Sequence, residues 1–552
     1  MVLGCGRSTR IDGSGDDSES GRGGTAGTGS GGISGEAGGS GSNQGGAAGA
    51  PGGSGGVPVS SSVTLEGSPI YTRVQRLTVT QWKNAVTDIL RLEAPGTLGD
   101  GFRTPPREAA DFTNNEKLLF VDVEGARDFE LGSEAAAALA TASATALARL
   151  DAGTDAAEFV STLGRRAFRR PLSDAEQTKY EGVFALGEEL YGAGFERGAA
   201  LVVRAMLVSP HFLYRTELGP AGDPLTGYEV ASKLSFWLLG TTPSDALLDS
   251  AAAGELDSVE GVEAVARQML EQRGAVEVMR DFHGQAFQLD RLESLAKPDA
   301  PEYDEAVAAE AFAASTLFFD HVFETGGGLR EILTSPRAFV GPALAPFYGM
   351  DPPATLEESA LDASRAGYFM QVPFLLLFDS GDEPATIPRG AVIDVEMLCN
   401  RTLVSHGAPP PARMPGSTNR EWIENFSSGC PGCHEAFINP LGFAFEGFDG
   451  LGRERSLDNG RPVDTSGSYP FSDGVRDFSG AKELVQIMAD TAQAHTCYAK
   501  KVTGYALQRD LVEADRPLLE ALSEVSREEE SLTELVLSLV RDPAFRLRAE
   551  GP

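Results

Sequence analysis

Helix-start signals recur along most of this 552-residue chain and restrict its fold more than any other feature. In the segment RLTVTQWKNAVTDIL, Thr78 and Gln81 are spaced as a capping box, in which each side chain binds the other residue's backbone N–H. Ser173 and Glu176 repeat this spacing behind Pro171. Apolar residues then recur every three or four positions, which is the period of a helix buried on one face. The chain is therefore predicted to be mainly α, with few and short strands.

The same periodicity predicts further helices. They cover residues 134–150, 156–168 and 308–324, with others starting at Leu172 and ending at Asn400. His283 lies among apolar and aromatic neighbours, so it is predicted to be a hydrogen-bonded core residue. No stretch reaches the roughly 18 uninterrupted apolar residues of a membrane span.

The N-terminal region differs from the rest in composition. Residues 13–56 are mostly Gly, Ser, Ala and Asp, which predicts a disordered tether. Just before it, Val2, Leu3, Gly4 and Cys5 resemble a bacterial lipoprotein processing site, although the basic and apolar regions that precede such a site are missing. Either the true start lies upstream of Met1 or the match is accidental. A tether directly after the cysteine favours lipidation of Cys5 and export, as a periplasmic, outer-membrane or cell-surface lipoprotein.

The chain carries a formal net charge of −34. This field repels phosphate, so we expect no nucleic-acid partner and no membrane contact except through the lipid anchor. Acidity of this kind serves solubility, and it also suits a cationic partner.

One motif points to a cofactor: Cys430, Pro431, Gly432, Cys433 and His434 read C-x-x-C-H. The two thiols can reach two vinyl groups on one porphyrin edge, and the histidine supplies the proximal nitrogen to iron. The motif therefore predicts one covalently bound haem c. The following residues Asn-Pro-Leu-Gly, 439–442, are predicted to form a proline loop that aims a backbone carbonyl at the other imidazole nitrogen.

The sequence does not specify the iron ligand opposite His434. Candidates are Met414, Met488, His406 and His495, and the position could also be open. A methionine would suit electron transfer, whereas an open site would suit peroxide or small-ligand chemistry.

Other interpretations of the cysteines remain open. The C-x-x-C pair could be half of a zinc site completed by Cys399, Cys497 or His495, or it could be a redox-active dithiol. In an exported protein, the remaining pair Cys399 and Cys497 is expected to form a disulfide.

Signals for hydrolysis are weak. No H-E-x-x-H sequence is present, and the G-x-S-x-G match at residues 52–56 lies in the glycine-rich tether and not between a strand and a helix. Glu446 and Asp449 are predicted to be a solvated loop pair rather than a glycosidase dyad. The arginines of RRAFRR are expected to be salt-bridged or solvated, with an anion or haem-propionate role as the alternative.

The chain is too long for one hydrophobic core, so several domains are predicted. They are a lipobox-like start and disordered tether over 1–59, an N-terminal helical domain over 60–152, a helical domain with RRAFRRPL over 153–220, a central helical domain over 221–360, a cytochrome c-like domain over 361–470 and a C-terminal helical domain over 471–552.

Several motifs together resemble a known series. RLTVTQWKNAVTDIL, RRAFRRPLSDAE, YEVASKLSFWLLGTTPSDALL, IPRGAVIDVEMLCNRTLVSHGAPPP, CPGCHEAFINPLGFAFEGFDGLGRER and CYAKKVTGYALQRD are similar to the exported planctomycete-type domains of unknown function 1587, 1595, 1592, 1588 and 1585. The 1588 member is a planctomycete cytochrome C-type domain. The resemblance implies export and a c-type haem on Cys430, Cys433 and His434, and it carries no established catalytic residue. Its longer proline run is shortened here to residues 409–411.

The sequence thus predicts an exported, lipid-anchored haem protein with an electron-transfer or haem-dependent redox role. Its expected partner is a redox protein or a cell-envelope component. The alternative is a cell-surface structural or interaction protein in which CxxCH is a zinc or disulfide staple.

Overall fold

The computed structural model describes residues 63–65, 67, 74–104, 112–378, 381, 383–400, 412–528 and 531–548. Within these ranges the chain forms 24 α-helices and eight short strands, so the prediction of a mainly α protein is confirmed. The strands form four separate antiparallel pairs. The tether predicted over 1–59, Cys5 and His406 all lie outside the described residues.

The first helices form a unit of their own around the buried side chains of Trp82 and Phe159. Strand β1 (Val74–Arg76) pairs with β2 (Tyr214–Thr216) and joins the two ends of this unit. Its helices are α1 (Val79–Ile89), α2 (Val123–Ala140), α3 (Ala144–Arg149), α4 (Ala156–Phe168), α5 (Asp174–Tyr191), α6 (Phe195–Leu207) and α7 (Pro210–Leu213).

Local side chains explain where these helices begin and end. Both predicted capping boxes are present, at Thr78 of α1 and Ser173 of α5. The helix predicted over 156–168 is α4, whereas the one predicted over 134–150 is wrong: it is divided between α2 and α3. The Ser143 side chain accepts from the Ala146 N–H and so starts a new helix inside the predicted one.

The central part of the chain packs helices around an aromatic core. Helix α13 is long and apolar enough to cross a membrane by length and composition, and just over half of it is buried inside the protein, as in a core helix. The elements are α8 (Gly227–Leu238), α9 (Asp245–Ala252), α10 (Val259–Leu270), α11 (Arg273–Ala286), α12 (Asp290–Ser294), α13 (Glu305–Glu324), α14 (Leu329–Thr334), β3 (Arg337–Val340), α15 (Ala345–Tyr348), β4 (Glu357–Ala360) and α16 (Val372–Leu376).

The segment with the cysteine motif contains two π-helices, Ile393–Met397 and Pro431–Ile438. The helix predicted to end at Asn400 therefore leaves α-helical geometry earlier, after Val392. The other elements of the segment are α17 (Thr386–Val392), α18 (Asn419–Ser427), α19 (Asn439–Phe443), β5 (Leu457–Asp458), β6 (Arg461–Pro462), β7 (Ser466–Phe471) and β8 (Gly474–Ser479).

The chain ends in further amphipathic helices that share their core with the central helices. Trp237 of the central part packs against Phe545 near the C-terminus, with ring centroids 5.4 Å apart. The predicted boundaries between these domains remain a prediction. The last helices are α20 (Ala481–Asp490), α21 (Ala492–Leu507), α22 (Arg516–Glu528), α23 (Leu532–Arg541) and α24 (Pro543–Arg546). Short 3₁₀ turns occur at Glu116–Leu118, Glu255–Asp257, Ala363–Arg365, Tyr368–Met370 and Glu513–Asp515.

Candidate functional site

The CPGCH motif lies on the π-helix Pro431–Ile438, which follows α18 and continues directly into α19. This segment packs against α17 with backbone touching backbone. A Cβ on Gly390 would lie 2.1 Å from the Ile438 carbonyl oxygen, and one on Gly442 would lie 2.1 Å from the Thr386 carbonyl oxygen. Only glycine permits so close a crossing, which fixes the position of the motif on the protein. π-Helical geometry is rare in proteins overall, and where it does occur it is often found at a functional site.

His434 is 4% exposed, and one of its ring nitrogens is bound inside the protein. Its Nδ1 lies 3.1 Å from Oδ1 of Asn439, five residues further along the chain. The amide of Asn439 in turn donates from Nδ2 to the Ser427 hydroxyl at 2.8 Å. Ser427 donates its own proton to the Ile423 carbonyl at 2.7 Å. A single chain of hydrogen bonds therefore leads from the backbone of α18 to the imidazole.

This chain of bonds determines which nitrogen of His434 carries the proton. Because the Ser427 hydroxyl gives its proton to a carbonyl, its oxygen must accept from the Asn439 NH₂ group. The Asn439 Oδ1 is then turned toward His434 and can only accept, so Nδ1 of the neutral imidazole is the protonated nitrogen. Nε2 keeps its lone pair and makes no hydrogen bond to the described residues. A ligand of haem iron needs this tautomer.

The orienting group was missed by the sequence analysis. The carbonyl of a proline loop was expected to bind the imidazole, and that expectation is wrong. Pro440 lies in the first turn of α19, where its carbonyl accepts from the Ala444 N–H within the helix, and the Asn439 side chain takes the orienting role instead. The asparagine five residues after His434 could have been recognised from the sequence as its partner, because side chains about one helical turn apart lie on the same face.

The two motif cysteines differ in state. Cys433 has a free, exposed thiol. Cys430 is disulfide-bonded, and its partner is not among the described residues. Thioether attachment to a porphyrin needs both sulfurs as thiols, so Cys430 must be reduced before a haem could be attached.

The candidate ligands for the position opposite His434 differ in how exposed their side chains are. Met414 is 61% exposed, on the loop before α18. Met488 is fully buried in the hydrophobic core of α20. His495 is fully buried, and both of its ring nitrogens have partners, the Ser526 hydroxyl at 2.9 Å and the Ala489 carbonyl at 3.0 Å. Of the candidates in the described residues, only Met414 presents its side chain to solvent.

Two further cysteines form a closed pair. Cys399 and Cys497 are joined by a disulfide with 5.4 Å between their Cα atoms, the pairing that the sequence analysis expected. Neither sulfur is then available to complete a zinc site with Cys430 and Cys433, and His495 has both nitrogens occupied. The zinc site proposed from these residues is therefore wrong in its ligand set.

Glu446 was predicted to be a solvated loop residue, and that is also wrong. It is 2% exposed, and its carboxylate accepts from the Thr386 hydroxyl, the Asn419 amide at 2.7 Å and the Arg455 guanidinium at 2.5 Å. Burial raises its pKa even so, because desolvation outweighs these favourable contacts. Asp449 is occupied separately, since it accepts from backbone N–H groups of its own turn at 2.8 and 2.9 Å. The two carboxylates are bound by different partners and stabilise the segment after α19. They do not form a reactive pair.

The arginines of RRAFRR follow the expectation of salt bridges with one exception. Three of them bind carboxylates, namely Arg165 with Asp249, Arg166 with Asp245 and Arg170 with Glu176. Arg169 is buried and instead donates to the carbonyl oxygens of His211, Phe212 and Tyr214, and burial lowers its pKa to about 9. This arginine joins α4 to α7, which leaves none of the four as an open anion site.

Family models match four consecutive parts of the chain. Each is described as a protein of unknown function: DUF1595 over residues 155–217, DUF1592 over 225–350, DUF1588 over 365–458 and DUF1585 over 474–545. The DUF1588 model is a planctomycete cytochrome C-type domain, and its match contains the CPGCH motif. No curated protein and no solved structure matches the chain. Four of the five domains that the motifs resemble are thus found in the expected order, and the chain belongs to this planctomycete-type multidomain series.

Proposed function

We propose that the protein is an exported redox protein with one haem, attached through Cys430 and Cys433 and ligated by His434. A bound haem would supply an iron that accepts and returns one electron. The protein's own contribution is to fasten the ring at two sulfurs and to hold a proton on His434 Nδ1. Electron transfer, or a haem-dependent redox reaction with a partner protein or cell-envelope component, is the function that this arrangement supports best.

The observation that carries the proposal is the hydrogen-bond chain from Ser427 through Asn439 to His434. A histidine that only fills a core usually has both nitrogens satisfied, as His495 does. In His434 one nitrogen is oriented by a side chain whose own orientation is fixed, and the other is left with its lone pair. Orientation of this kind is the usual support for a histidine that binds a metal. The cytochrome C-type family match over the same residues supports the same assignment.

Of the candidate ligands among the described residues, Met414 is the one that would bind a haem iron together with His434. Its thioether is exposed and lies in the same segment of the chain, whereas the sulfur of Met488 and the imidazole of His495 are enclosed in the core. Movement of an exposed loop costs much less free energy than removal of a core side chain. A methionine ligand raises the reduction potential of a haem, which suits electron transfer.

The experiment that tests the function is covalent haem loading. The protein is exported in a host with cytochrome c maturation machinery, and a haem-stained denaturing gel and a pyridine haemochrome spectrum are recorded. We expect covalent haem in the wild type and none in Cys430→Ala/Cys433→Ala. The matched control is Ser428→Ala/Glu435→Ala, which changes two exposed residues at or beside the motif, leaves both thiols in place and should keep the haem. A colourless wild type would overturn the proposal.

A disulfide-stapled surface protein is the second candidate, and one observation favours it: Cys430 is disulfide-bonded. In that case the wild type carries no haem, and full reduction raises its intact mass by four hydrogens, two for the disulfide of Cys430 and two for Cys399–Cys497, whereas the haem protein would gain only the latter two. The haem-loading experiment separates the two functions, because a sulfur in a thioether cannot be released by a thiol reductant.

Export and lipidation of Cys5 belong to the haem proposal alone and rest on the sequence, because a cysteine sulfur that carries a lipid cannot also form a disulfide. The N-terminal peptide of protein purified from its native membrane should carry a diacylglyceryl group on Cys5. An unmodified N-terminal peptide, recovered from a soluble fraction, would remove the lipid anchor from the proposal and leave the haem assignment untouched.

A further inference from the structure

One face of helix α5, in the first helical unit, is open to solvent. The helix packs on its neighbours through Tyr180, Phe184 and Gly187, which are buried. On the opposite side Leu186 and Leu190 are 42% and 60% exposed. Two large apolar side chains next to each other on the outer face of a helix are typical of a surface that binds another protein.

The exposed residues of this face have the spacing of a coiled coil. Ala175, Lys179, Gly182, Leu186 and Glu189 follow one another at alternating intervals of four and three residues, and all five are exposed. These five residues are called the α5 seam below. Alternating intervals of four and three are those of the a and d positions, where one helix packs along another. The α5 seam therefore has the period needed to pack against a second helix.

The α5 seam contains both a hollow and a side chain that could fill one. A Cβ added to Gly182 would meet no atom within 4 Å, so the glycine leaves open space on the surface of the helix. Leu186 projects from the same face one turn further on. The two residues lie on one helix and cannot pack into each other, but the leucine of a second copy could lie over the glycine of the first.

The charges of the α5 seam are complementary as well. Lys179 lies 5.1 Å from the ring centre of Tyr180, and neither Lys179 nor Glu189 forms an ion pair with the residues that the structure describes. Glu176, on the same helix, is by contrast bound by Arg170 at 2.9 Å. One uncommitted cation and one uncommitted anion thus occupy opposite ends of the same face.

We propose that the α5 seam is the contact surface of a two-fold homodimer, in which the α5 helices of two copies pack antiparallel. With the two-fold axis at the level of Phe184, positions equally far from 184 face each other. Lys179 then lies opposite Glu189 of the second copy, and Gly182 lies opposite Leu186. Each contact occurs twice, as in any interface between identical surfaces. Parallel packing would instead place each charge against its own copy.

The size of the contact determines how tight the dimer can be. Helix α5 has 18 residues and is about 27 Å long. Contact along one such helix is smaller than the roughly 1,200–2,000 Å² of a stable interface, so a weak, reversible dimer is expected. The helix belongs to the first helical unit and not to the CPGCH segment, so this proposal does not rest on the haem assignment.

The test is analytical ultracentrifugation of the full-length protein from about 1 to 200 µM, the range in which weak dimers dissociate. The exposed Cys433 thiol is alkylated beforehand, so that oxidation cannot join two copies. The buffer contains about 0.15 M salt, which screens the repulsion between two acidic molecules. We expect the wild type to show a reversible monomer–dimer equilibrium.

Charge reversal tests the antiparallel arrangement. Lys179→Glu and Glu189→Lys should each weaken the dimer at least about tenfold, because both ion pairs become repulsive. Lys179→Glu/Glu189→Lys should restore it, since the pairs form again with their charges exchanged. A mixture of the two single variants should form a heterodimer, because one copy is then negative and the other positive at both positions. Glu188→Lys, the same charge change off the seam, is the matched control.

A second pair of variants tests the apolar contact without changing charge. Leu186→Ala/Leu190→Ala should weaken the dimer, whereas Leu131→Ala, at a leucine of α2 that is 54% exposed, should not. The circular dichroism spectrum and melting temperature show that each variant is folded.

Several results would overturn the proposal. A wild type that stays monomeric over the whole range would show that the face does not bind a second copy. Equal weakening in Glu188→Lys, or no association in the mixture of the two single variants, would exclude antiparallel packing of α5.

Discussion

The CPGCH segment and the C-terminal helices each contain a buried histidine and a cysteine, and the protein treats them in opposite ways. In the C-terminal region His495 has both ring nitrogens bonded, and Cys497 is closed in a disulfide. In the CPGCH segment His434 has one nitrogen bonded, and Cys433 is a free, exposed thiol. Residue type and burial are therefore poor indicators of function here. The two regions differ in the bonding capacity that the histidine and the cysteine have left over, although His283, whose Nδ1 is buried without a partner, shows that one unbonded nitrogen alone does not mark a reactive group.

The largest expected effect tests the structural side of this comparison. Cys399→Ser/Cys497→Ser opens a disulfide with a sequence separation of 98 residues, and loss of a loop of that length costs about 4–5 kcal/mol in the chain-entropy account. Chemical denaturation should show that loss in the free energy of unfolding. Cys433→Ser, at the exposed thiol, should stay within about 0.5 kcal/mol of the wild type. Equal losses in the two variants would contradict the distinction.

The next effect concerns pH and a third buried histidine. His283 is a hydrogen-bonded core residue, as the sequence predicted, and its partner is the Tyr498 hydroxyl. Burial lowers its pKa to about 3 from 6.5. Between about pH 6.5 and pH 3, His283 is protonated in the unfolded chain and neutral in the folded chain. Its contribution therefore makes the free energy of unfolding decrease as the pH is lowered through this range, by up to about 1.4 kcal/mol per pH unit.

The measurement is the slope of unfolding free energy against pH between pH 6 and pH 4. His283→Phe should be less steep than the wild type by about 1 kcal/mol per pH unit, because phenylalanine does not titrate. The variant also loses the hydrogen bond to Tyr498, which lowers its stability at every pH and leaves the slope unaffected. Parallel slopes in the two proteins would show that His283 does not contribute in this way.

A smaller effect tests the functional side. Asn439→Ala should cost about 1–3 kcal/mol of stability, because His434 Nδ1 and the Ser427 hydroxyl lose their partner. Haem should remain attached through the cysteines, while displacement of His434 by added imidazole should become about 10–100-fold easier. Asn425→Ala, at an exposed position of the neighbouring helix α18, is the control. Unchanged displacement in Asn439→Ala would remove the orienting role.

The smallest structural effect is expected at Met414. Because its side chain is 61% exposed, Met414→Ala should change the stability of the haem-free protein by no more than about 0.5 kcal/mol. In the haem-loaded protein the same change should alter the ferric absorption spectrum and lower the reduction potential. Met350→Ala replaces another partly exposed methionine and should change neither. A wild-type spectrum in Met414→Ala would exclude Met414 as the iron ligand.

Sequence patterns predicted those parts of the fold that depend on neighbours along the chain. The capping boxes at Thr78 and Ser173 and the helix Ala156–Phe168 are local features, and all were predicted correctly. The break between α2 and α3 was missed because alanine-rich periodicity continues through it, while the cap at Ser143 decides the boundary. The π-helices carry no periodic signal distinct from that of an α-helix, so neither was predicted.

The candidate site shows the same division. The C-x-x-C-H spacing is local and could be recognised from the sequence alone. The burial of Glu446 could not be recognised in this way. It depends on contacts with Thr386 and Arg455, and neither residue is next to Glu446 in the chain. The role of Asn439 was close at hand in the sequence, but the direction of its amide depends on a serine from the preceding helix.

The disulfide between Cys399 and Cys497 encloses the whole CPGCH motif in one covalent ring of main chain. A single cut by a protease anywhere between these two cysteines would leave both fragments joined by the disulfide. The cleaved protein would remain one covalently linked molecule, and its two fragments would separate only after the disulfide is reduced. In an oxidising compartment, this part of the protein can therefore survive a break in its backbone without losing either half.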